Sequence, residues 1–253
     1  MAITFVYEHN FDWEDGLYEA LRLLSKYHHI NYVNLAKEEY VKDENITLGW
    51  GALGSRVDKT IRNLNNKKGL LIGGMSQGDL SCYDVVFYET EWHGEFINHK
   101  NKIHAFGVNT RIYKEMILPK IYDYITVGSF SDWKRQKLLL NKKGKKIAIG
   151  EVQKHNLNES IDIVFDLIVG GVTVSDMLPP KNLAQFYNMS EVCYIPSTIF
   201  GGGERAVLEA RACGIKVEVE KDNPKLMSLL KCQLYDEEYY MFKLLQGISS
   251  LIT

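Results

Sequence analysis

The chain has no apolar run long enough to cross a bilayer, which excludes a helical membrane span. Its first residues lack a basic stretch followed by an apolar one, the mark of an export signal, so an intracellular, cytoplasmic protein is expected. It has no CxxC pair. Cys82, Cys193, Cys213 and Cys232 are scattered through apolar surroundings, a pattern of free buried thiols rather than metal ligands. It has almost no net charge: 30 basic against 32 acidic residues leave −2, too little to drive the whole molecule onto nucleic acid or an anionic membrane. The glycine stretch at 201–203 is not GxGxxG and lacks the GK[ST] of a Walker loop, which argues against a mononucleotide P-loop. There is no low-complexity segment or short-period repeat.

What remains is an ordinary globular composition, 45% hydrophobic and 25% charged over 253 residues. That length buries a large core in one big domain or two small ones. Charge is clustered locally. "SRVDKTIRNLNNKK" carries Arg56, Lys59, Arg62, Lys67 and Lys68 against Asp58 alone, and "NKKGKK" (141–146) reads as a solvated turn.

Along the chain, strands alternate with helices. "AITFVYEHN" reads as a strand, "WEDGLYEALRLLSKY" as an amphipathic helix with Leu17, Ala20, Leu21 and Leu24 on one face, and "HINYVNL" as a strand. "VDKTIRNLNN" then reads as helix and "GLLIGG", "YDVVFYET" and "NKIHAFGVN" as strands. "GWGALGS" reads as a glycine-rich turn. A second series starts near residue 121. Its strands are "YDYITVGS", "KKIAIGE", "GVTVSDM", "EVCYIPS" and "IKVEVE". Its helices are "SDWKRQKLLLNKK", "LNESIDIVFDLIV", "PPKNLAQFYNMS", the stretch opening at Glu204, and "NPKLMSLL". The pattern predicts two α/β domains, 1–118 and 119–253, divided near Pro119, with the final amphipathic segment packing back across the first.

The least ordinary stretch is "IPSTIFGGGERAVLEARACG", residues 195–214. A strand stops at Pro196, Gly201, Gly202 and Gly203 follow, and a helix opens at Glu204-Arg205. Glycine lets backbone approach a ligand, and the free N–H groups and dipole of a helix N-terminus favour an anion. A plain structural turn is the competing reading.

Several segments together resemble the GT-B glycosyltransferases, especially the retaining family 4 type. Pro196-Ser197, Gly201 to Gly203, Leu208-Glu209-Ala210 and Ala212-Cys213-Gly214 stand where that family has a strand ending in Pro-Ser, a diphosphate-binding glycine loop and a helix reading LEA-x-A-x-G. "FGVNTRIY", with Gly107 to Thr110, resembles its interdomain segment. "VGSFSDWKR" resembles the next strand–helix turn, in which a basic residue reaches the diphosphate; Lys134 has that spacing from Gly128, with Arg135 beside it. "AIGE" around Gly150 resembles the strand end flanking the nucleobase, and the backbone of Met177 and Leu178 falls where the family meets the base.

The resemblance implies two Rossmann-like domains facing a central cleft and a nucleoside-diphosphate sugar, expected to be UDP-linked, as co-substrate. It implies a hexosyl- or pentosyltransferase, retaining, with Glu209 on the donor ribose and no cofactor. The sequence has no DxD-like acidic pair in a loop suited to a bound metal, so metal-independent chemistry is expected. Two departures stand out. The family glutamate eight residues before Glu209 is Gly201, with Glu204 only five before, and the family arginine after Gly128 is Ser129. The diphosphate then depends more on Lys134, Arg135, Arg205 and the glycine amides, and Glu204 becomes the candidate catalytic acid.

Acceptor contacts are expected at strand ends of the first domain. Glu89, Glu91 and His93 are candidates for proton handling, and Glu8, His9 and Trp50 for binding. The short, Lys- and Asn-rich chain is similar in style to phage-encoded glycosyltransferases, some of which modify hydroxymethylated bases in DNA. Arg56 and Arg62 on the basic segment are the candidate DNA contacts. A cell-surface glycan acceptor and a non-catalytic nucleotide-sugar binder are the alternatives. The sequence leaves the oligomeric state open.

Overall fold

A computed structural model describes residues 2–8, 15–37, 39–41, 46–73 and 78–252. They form two compact units, Met1–Gly107 with Tyr235–Thr253, and Val108–Leu234.

The first unit is a parallel sheet of β1 (Ala2–Tyr7), β2 (His29–Asn34), β3 (Ile46–Trp50), β4 (Lys67–Ile72), β5 (Val85–Tyr88) and β6 (Lys102–His104). Their spatial order is β2-β1-β3-β4-β5-β6. Around it lie α1 (Gly16–Leu24), α2 (Arg56–Arg62), α3 (Glu91–Phe96) and, from the end of the chain, α8 (Glu237–Ser249). The strands are apolar on both faces because helices cover both. Ile3, Phe5 and Tyr7 point to Leu17, Leu21 and Leu24 of α1 and to Tyr240, Leu244 and Ile248 of α8. Val6, between them in sequence, packs with Val57 and Ile61 of α2 and with Leu70 and Ile72.

Two elements differ from the sequence reading. "ITLGW" is β3, a central strand between β1 and β4, and the predicted turn begins only after Trp50. Gly49 disguised it. A Cβ there would collide with Ile61 and lie 2.8 Å from a Val57 methyl, so the glycine is what seats α2 on the strand. "ETEWHGEF" is not an extended strand end either, since Thr90 caps α3 by accepting from the His93 N–H at 3.1 Å.

The second unit is a parallel sheet of β7 (Tyr122–Val127), β8 (Lys146–Gly150), β9 (Thr173–Asp176), β10 (Ser190–Ile195) and β11 (Lys216–Val219), in the order β11-β10-β7-β8-β9. Its helices are α4 (Leu157–Val169), α5 (Pro180–Asn188), α6 (Glu204–Ala212) and α7 (Pro224–Leu229). The helix expected over "SDWKRQKLLLNKK" is instead two 3-10 stretches, Asp132–Lys134 and Gln136–Asn141. Arg135 separates them with a left-handed φ of 51°, which ends the helical ladder.

Residues 108–120, including the expected boundary at Pro119, belong to this unit. Asn188 ties them down: its Oδ1 accepts from the Met116 N–H at 2.7 Å and its Nδ2 donates to the Lys114 carbonyl at 3.0 Å. The other end of the crossover is fixed in the first unit, where a Cβ on Gly107 would collide with the Asp236 carbonyl.

Among the described residues no helix is long and apolar enough to cross a membrane. The four cysteines are free thiols, Cys193 and Cys213 buried, Cys82 and Cys232 half-buried.

Candidate functional site

Strand order locates the site. In the second sheet β8 and β9 lie to one side of β7 while β10 and β11 lie to the other, so the loops leaving the C-terminal ends of β7 and β10 diverge and open a crevice between them. The loop after β7 is Gly128–Lys134; the loop after β10 is Pro196–Gly203. The two segments singled out in the sequence therefore meet at the switch point of one sheet.

Hydrogen bonds join them directly. The Thr198 N–H donates to the Trp133 carbonyl at 2.8 Å, and the Gly201 N–H to the Thr198 carbonyl at 2.9 Å. A Cβ on Gly201 would collide with that Trp133 carbonyl. At position 201 this loop has room for glycine alone. Gly202 and Gly203 follow with φ of 67° and 109°, a backbone that glycine adopts at little cost. Gly203 is the N-cap of α6 and has no side chain with which to cap it.

Lys134 reaches into this turn. Its Nζ lies 3.3 Å from where a Cβ on Gly202 would stand and 3.5 Å from the corresponding point on Gly128, so the absence of two side chains makes the space it occupies. Desolvation lowers its pKa to about 8, with Glu204 opposing the shift and Lys225 and Arg205 adding to it. Glu204, buried in the first turn of α6, pairs through Oε1 with Nζ of the buried Lys225 at 2.6 Å. Its Oε2 lies 3.5 Å from the same Gly202 position. Three cations and one acid thus surround the glycine turn.

Arg135 sits differently. Its Nε donates to the Pro196 carbonyl at 2.7 Å, one terminal nitrogen to the Ser197 carbonyl at 3.2 Å, and both grip Asp222 at 2.7 and 2.8 Å. The guanidinium spans the base of the loop as a strut. Ser129 is half-buried, and its carbonyl accepts from Gln136 Nε2 at 2.6 Å.

Glu209 lies on α6, about 140° around the helix from Glu204 at 100° per residue. It is buried, with the Tyr187 hydroxyl 3.5 Å from Oε2. Burial, and after it the Glu209 charge, push Tyr187 well above its ordinary pKa, so that hydroxyl remains a donor. Gly150 ends β8, and a Cβ on it would collide with the Gly128 carbonyl. Met177 is exposed and Leu178 half-buried, in the turn between β9 and α5.

In the first unit the candidates do not form one cluster. Glu8 follows β1 and Trp50 ends β3, at that sheet's own switch point, and both are half-buried. His9 lies outside the described residues. Glu91 is exposed in the first turn of α3 and Glu89 half-buried before it, whereas His93 is buried, with Nδ1 3.0 Å from Thr90 Oγ1. The capped turn folds His93 inward, where a plain strand end would have presented it.

The basic segment is also divided. Arg56 is exposed at the start of α2, near the strand C-termini. Arg62, one helix length away at the opposite edge, bonds Asp58 at 3.0 Å and the Asp79 carbonyl at 3.0 Å. Lys67 pairs with Asp84 at 3.2 Å, and the buried Lys68 donates to the Arg62 carbonyl at 2.9 Å. A polar groove lined by Lys67, Asp84, His99 and Asn101 opens at that edge, away from the strand C-termini.

Sequence reasoning missed Lys225. It lies twenty-one residues beyond Glu204, and only the inward turn of α7 after Asn223 brings the two together. Among the described residues no group of three or more His, Cys, Asp or Glu side chains is placed to hold a metal ion.

Solved structures share this architecture. Sucrose-phosphate synthase from Thermosynechococcus elongatus superposes with a TM-score of 0.66 at 12% identity, over 100% of this chain and 94% of that one. A glycosyltransferase from Rickettsia africae ESF-5 gives 0.66 at 12% identity, over 99% and 93%. Anabaena HepE, solved in complex with UDP and glucose, gives 0.64 at 10% identity, over 99% and 92%. These matches and the two parallel Rossmann-like sheets make the chain an α/β protein of GT-B fold. At such identities the likeness is one of fold. No protein-family model and no curated sequence matches the chain.

Proposed function

We propose that the protein is a glycosyltransferase that moves a sugar from a nucleoside-diphosphate sugar, UDP-linked, to an acceptor hydroxyl. The observation that carries this reading is the convergence of Lys134 and the Gly201–Gly203 turn at the switch point of the second sheet, ahead of the uncapped N-terminus of α6. A solved structure of the same fold, HepE, is described as a complex with UDP-glucose.

In this mechanism the diphosphate sits on the glycine amides. As the glycosidic bond breaks, negative charge grows on the leaving phosphate. Lys134, Arg205 and the α6 N-terminus stabilise that charge in place, a service that in other enzymes a metal performs. Arg135 acts from behind the loop by fixing the Pro196 and Ser197 carbonyls. Glu209 accepts from the ribose hydroxyls, and the backbone near Gly150, Met177 and Leu178 borders the base. Transfer is retaining and metal-independent, as the family 4 resemblance implies. Acceptor contacts are assigned to the first unit, at Glu8, Trp50, Glu89 and Glu91. The pairing of Arg62, Lys67 and Lys68 within that unit gives a DNA acceptor little support.

A second reading, a nucleotide-sugar binder without turnover, is favoured by one observation: Gly201 leaves no space for the acid that the family has there. The experiment that separates the two measures thermal stabilisation by UDP and UDP-sugars, then donor turnover with glycan and hydroxymethylated-DNA acceptors, with and without a chelator. Turnover supports the enzyme, stabilisation without turnover supports the binder, and no stabilisation by any nucleoside diphosphate sinks both.

A further inference from the structure

We propose that Lys225 is a positioning residue of the donor loop. Its ammonium pins Glu204 beside Gly202 as a charged counter-ion to Lys134, so Glu204 does not serve as the acid that moves a proton. This rests on the function proposed above.

The geometry carries the argument. Lys225 is 1% exposed and Glu204 6%, and their 2.6 Å contact lies under the glycine turn. The two carboxylate oxygens point different ways. Oε1 meets Lys225, and Oε2 faces the Gly202 position that Lys134 Nζ also approaches, at 3.5 and 3.3 Å. Lys225 is delivered by the start of α7, where Asn223 caps the helix through the Leu226 N–H at 3.1 Å and donates to the Ser197 carbonyl at 2.8 Å. The cap that sets the lysine therefore also holds the strand end that feeds the glycine loop.

A buried ion pair seldom stabilises a fold more than apolar packing of the same volume would, so its stability alone does not account for it here. A charge balance does. The groups facing Lys134 are Glu204 and Arg205 from α6 and Lys225 from α7. Arg135, on its own segment, is neutralised by Asp222, and Asp132 stands beside it in sequence. Lys134 and Lys225 both flank Glu204, and the acid keeps the two ammonium groups from repelling each other when the turn is empty. One oxygen of the acid is already engaged by the buried Lys225 ammonium, which ties the group to its place rather than leaving it to exchange with a substrate.

UDP affinity measured by calorimetry from pH 7 to 10 tests this, in the wild type, Lys225→Met, Glu204→Gln and the double variant. In the wild type, binding weakens through a midpoint near 8 as Lys134 loses its proton. Removing Lys225 raises that midpoint by about one pH unit, since a neighbouring cation is lost, and Glu204→Gln lowers it by a similar amount. The double variant returns towards the wild-type midpoint and unfolds at a higher temperature than Lys225→Met, whose buried acid has lost the Lys225 ammonium. A merely structural pair would alter stability without moving the midpoint in opposite directions. Midpoints that are the same in all four proteins overturn the proposal. A wild type that binds no UDP at any pH fails earlier and overturns the functional reading itself. If Lys225→Met does not fold, the Glu204→Gln shift and the double variant decide.

Discussion

The guanidinium of Arg135 holds both carboxylate oxygens of Asp222, at 2.7 and 2.8 Å, while its Nε bonds the Pro196 carbonyl at the end of β10. One side chain from the loop after β7 thus fastens the strand end after which the glycine turn begins. The residue does so from a left-handed backbone, φ 51°, ψ 32°, which costs a non-glycine residue about 1 kcal/mol.

That arrangement predicts unequal losses from two truncations. Arg135→Ala keeps the unfavourable φ and loses the bonds to two carbonyls, so it destabilises by about 1–3 kcal/mol. Arg135→Gly loses the same bonds and relieves the backbone, so it is the more stable of the pair. Denaturant unfolding of both variants reads the difference, and UDP affinity falls in each because the loop loosens.

The glycine turn predicts that a glutamate cannot be accommodated at position 201. Gly201→Glu drives a Cβ into the Trp133 carbonyl and costs about 1–3 kcal/mol through forced backbone movement. It brings no gain in donor turnover. Gly202→Ala strains a left-handed backbone by about 1 kcal/mol, crowds Lys134 Nζ at 3.3 Å and weakens UDP binding about tenfold. Melting temperature and calorimetric affinity separate the two outcomes.

Lys134 predicts a pH dependence whose sign differs for folding and for binding. Its folded pKa, about 8, lies below the ordinary lysine value of 10.5. Between the two the unfolded chain holds more protons, so this group makes stability rise with pH across that window. The diphosphate needs the ammonium, so affinity falls over the same window. Lys134→Met abolishes both trends, and urea unfolding and UDP titration at pH 7 and 9.5 check them.

Glu209 predicts a separation of ribose from phosphate. Glu209→Gln replaces a charged acceptor with a neutral one and weakens UDP by about ten- to a hundredfold. Inorganic pyrophosphate, which has no ribose, binds the variant and the wild type alike. Equal losses for both ligands would place Glu209 in the support of the loop rather than on the ribose.

Much of the fold was legible because parallel strands buried on both faces are continuous apolar runs, and helices between them keep a 3.6-residue period. β1, β7, β8 and β10 are of this kind. β3 escaped because "ITLGW" is short and its Gly49 has the look of a turn, although that glycine serves helix packing across the sheet. The helix over 131–143 has a helical pattern in sequence, but Arg135 and the Trp133 carbonyl gain more from bonds to the neighbouring loop than from an unbroken ladder.

For the site, sequence alone determined the local chemistry. Glycines at 201–203 before a helix, a lysine six residues after Gly128 and a glutamate on the following helix can be read from type and spacing, because backbone freedom and helix polarity are local properties. Tertiary structure decided which charges belong together. It gave Arg135 to Asp222, Arg62 to the Asp79 carbonyl and Lys225 to Glu204, and it folded His93 away from solvent. The reason is physical. Whether a charge is available to a ligand depends on burial and on partners distant in sequence, and desolvation makes those pairings obligatory once the sheet order has placed the loops side by side.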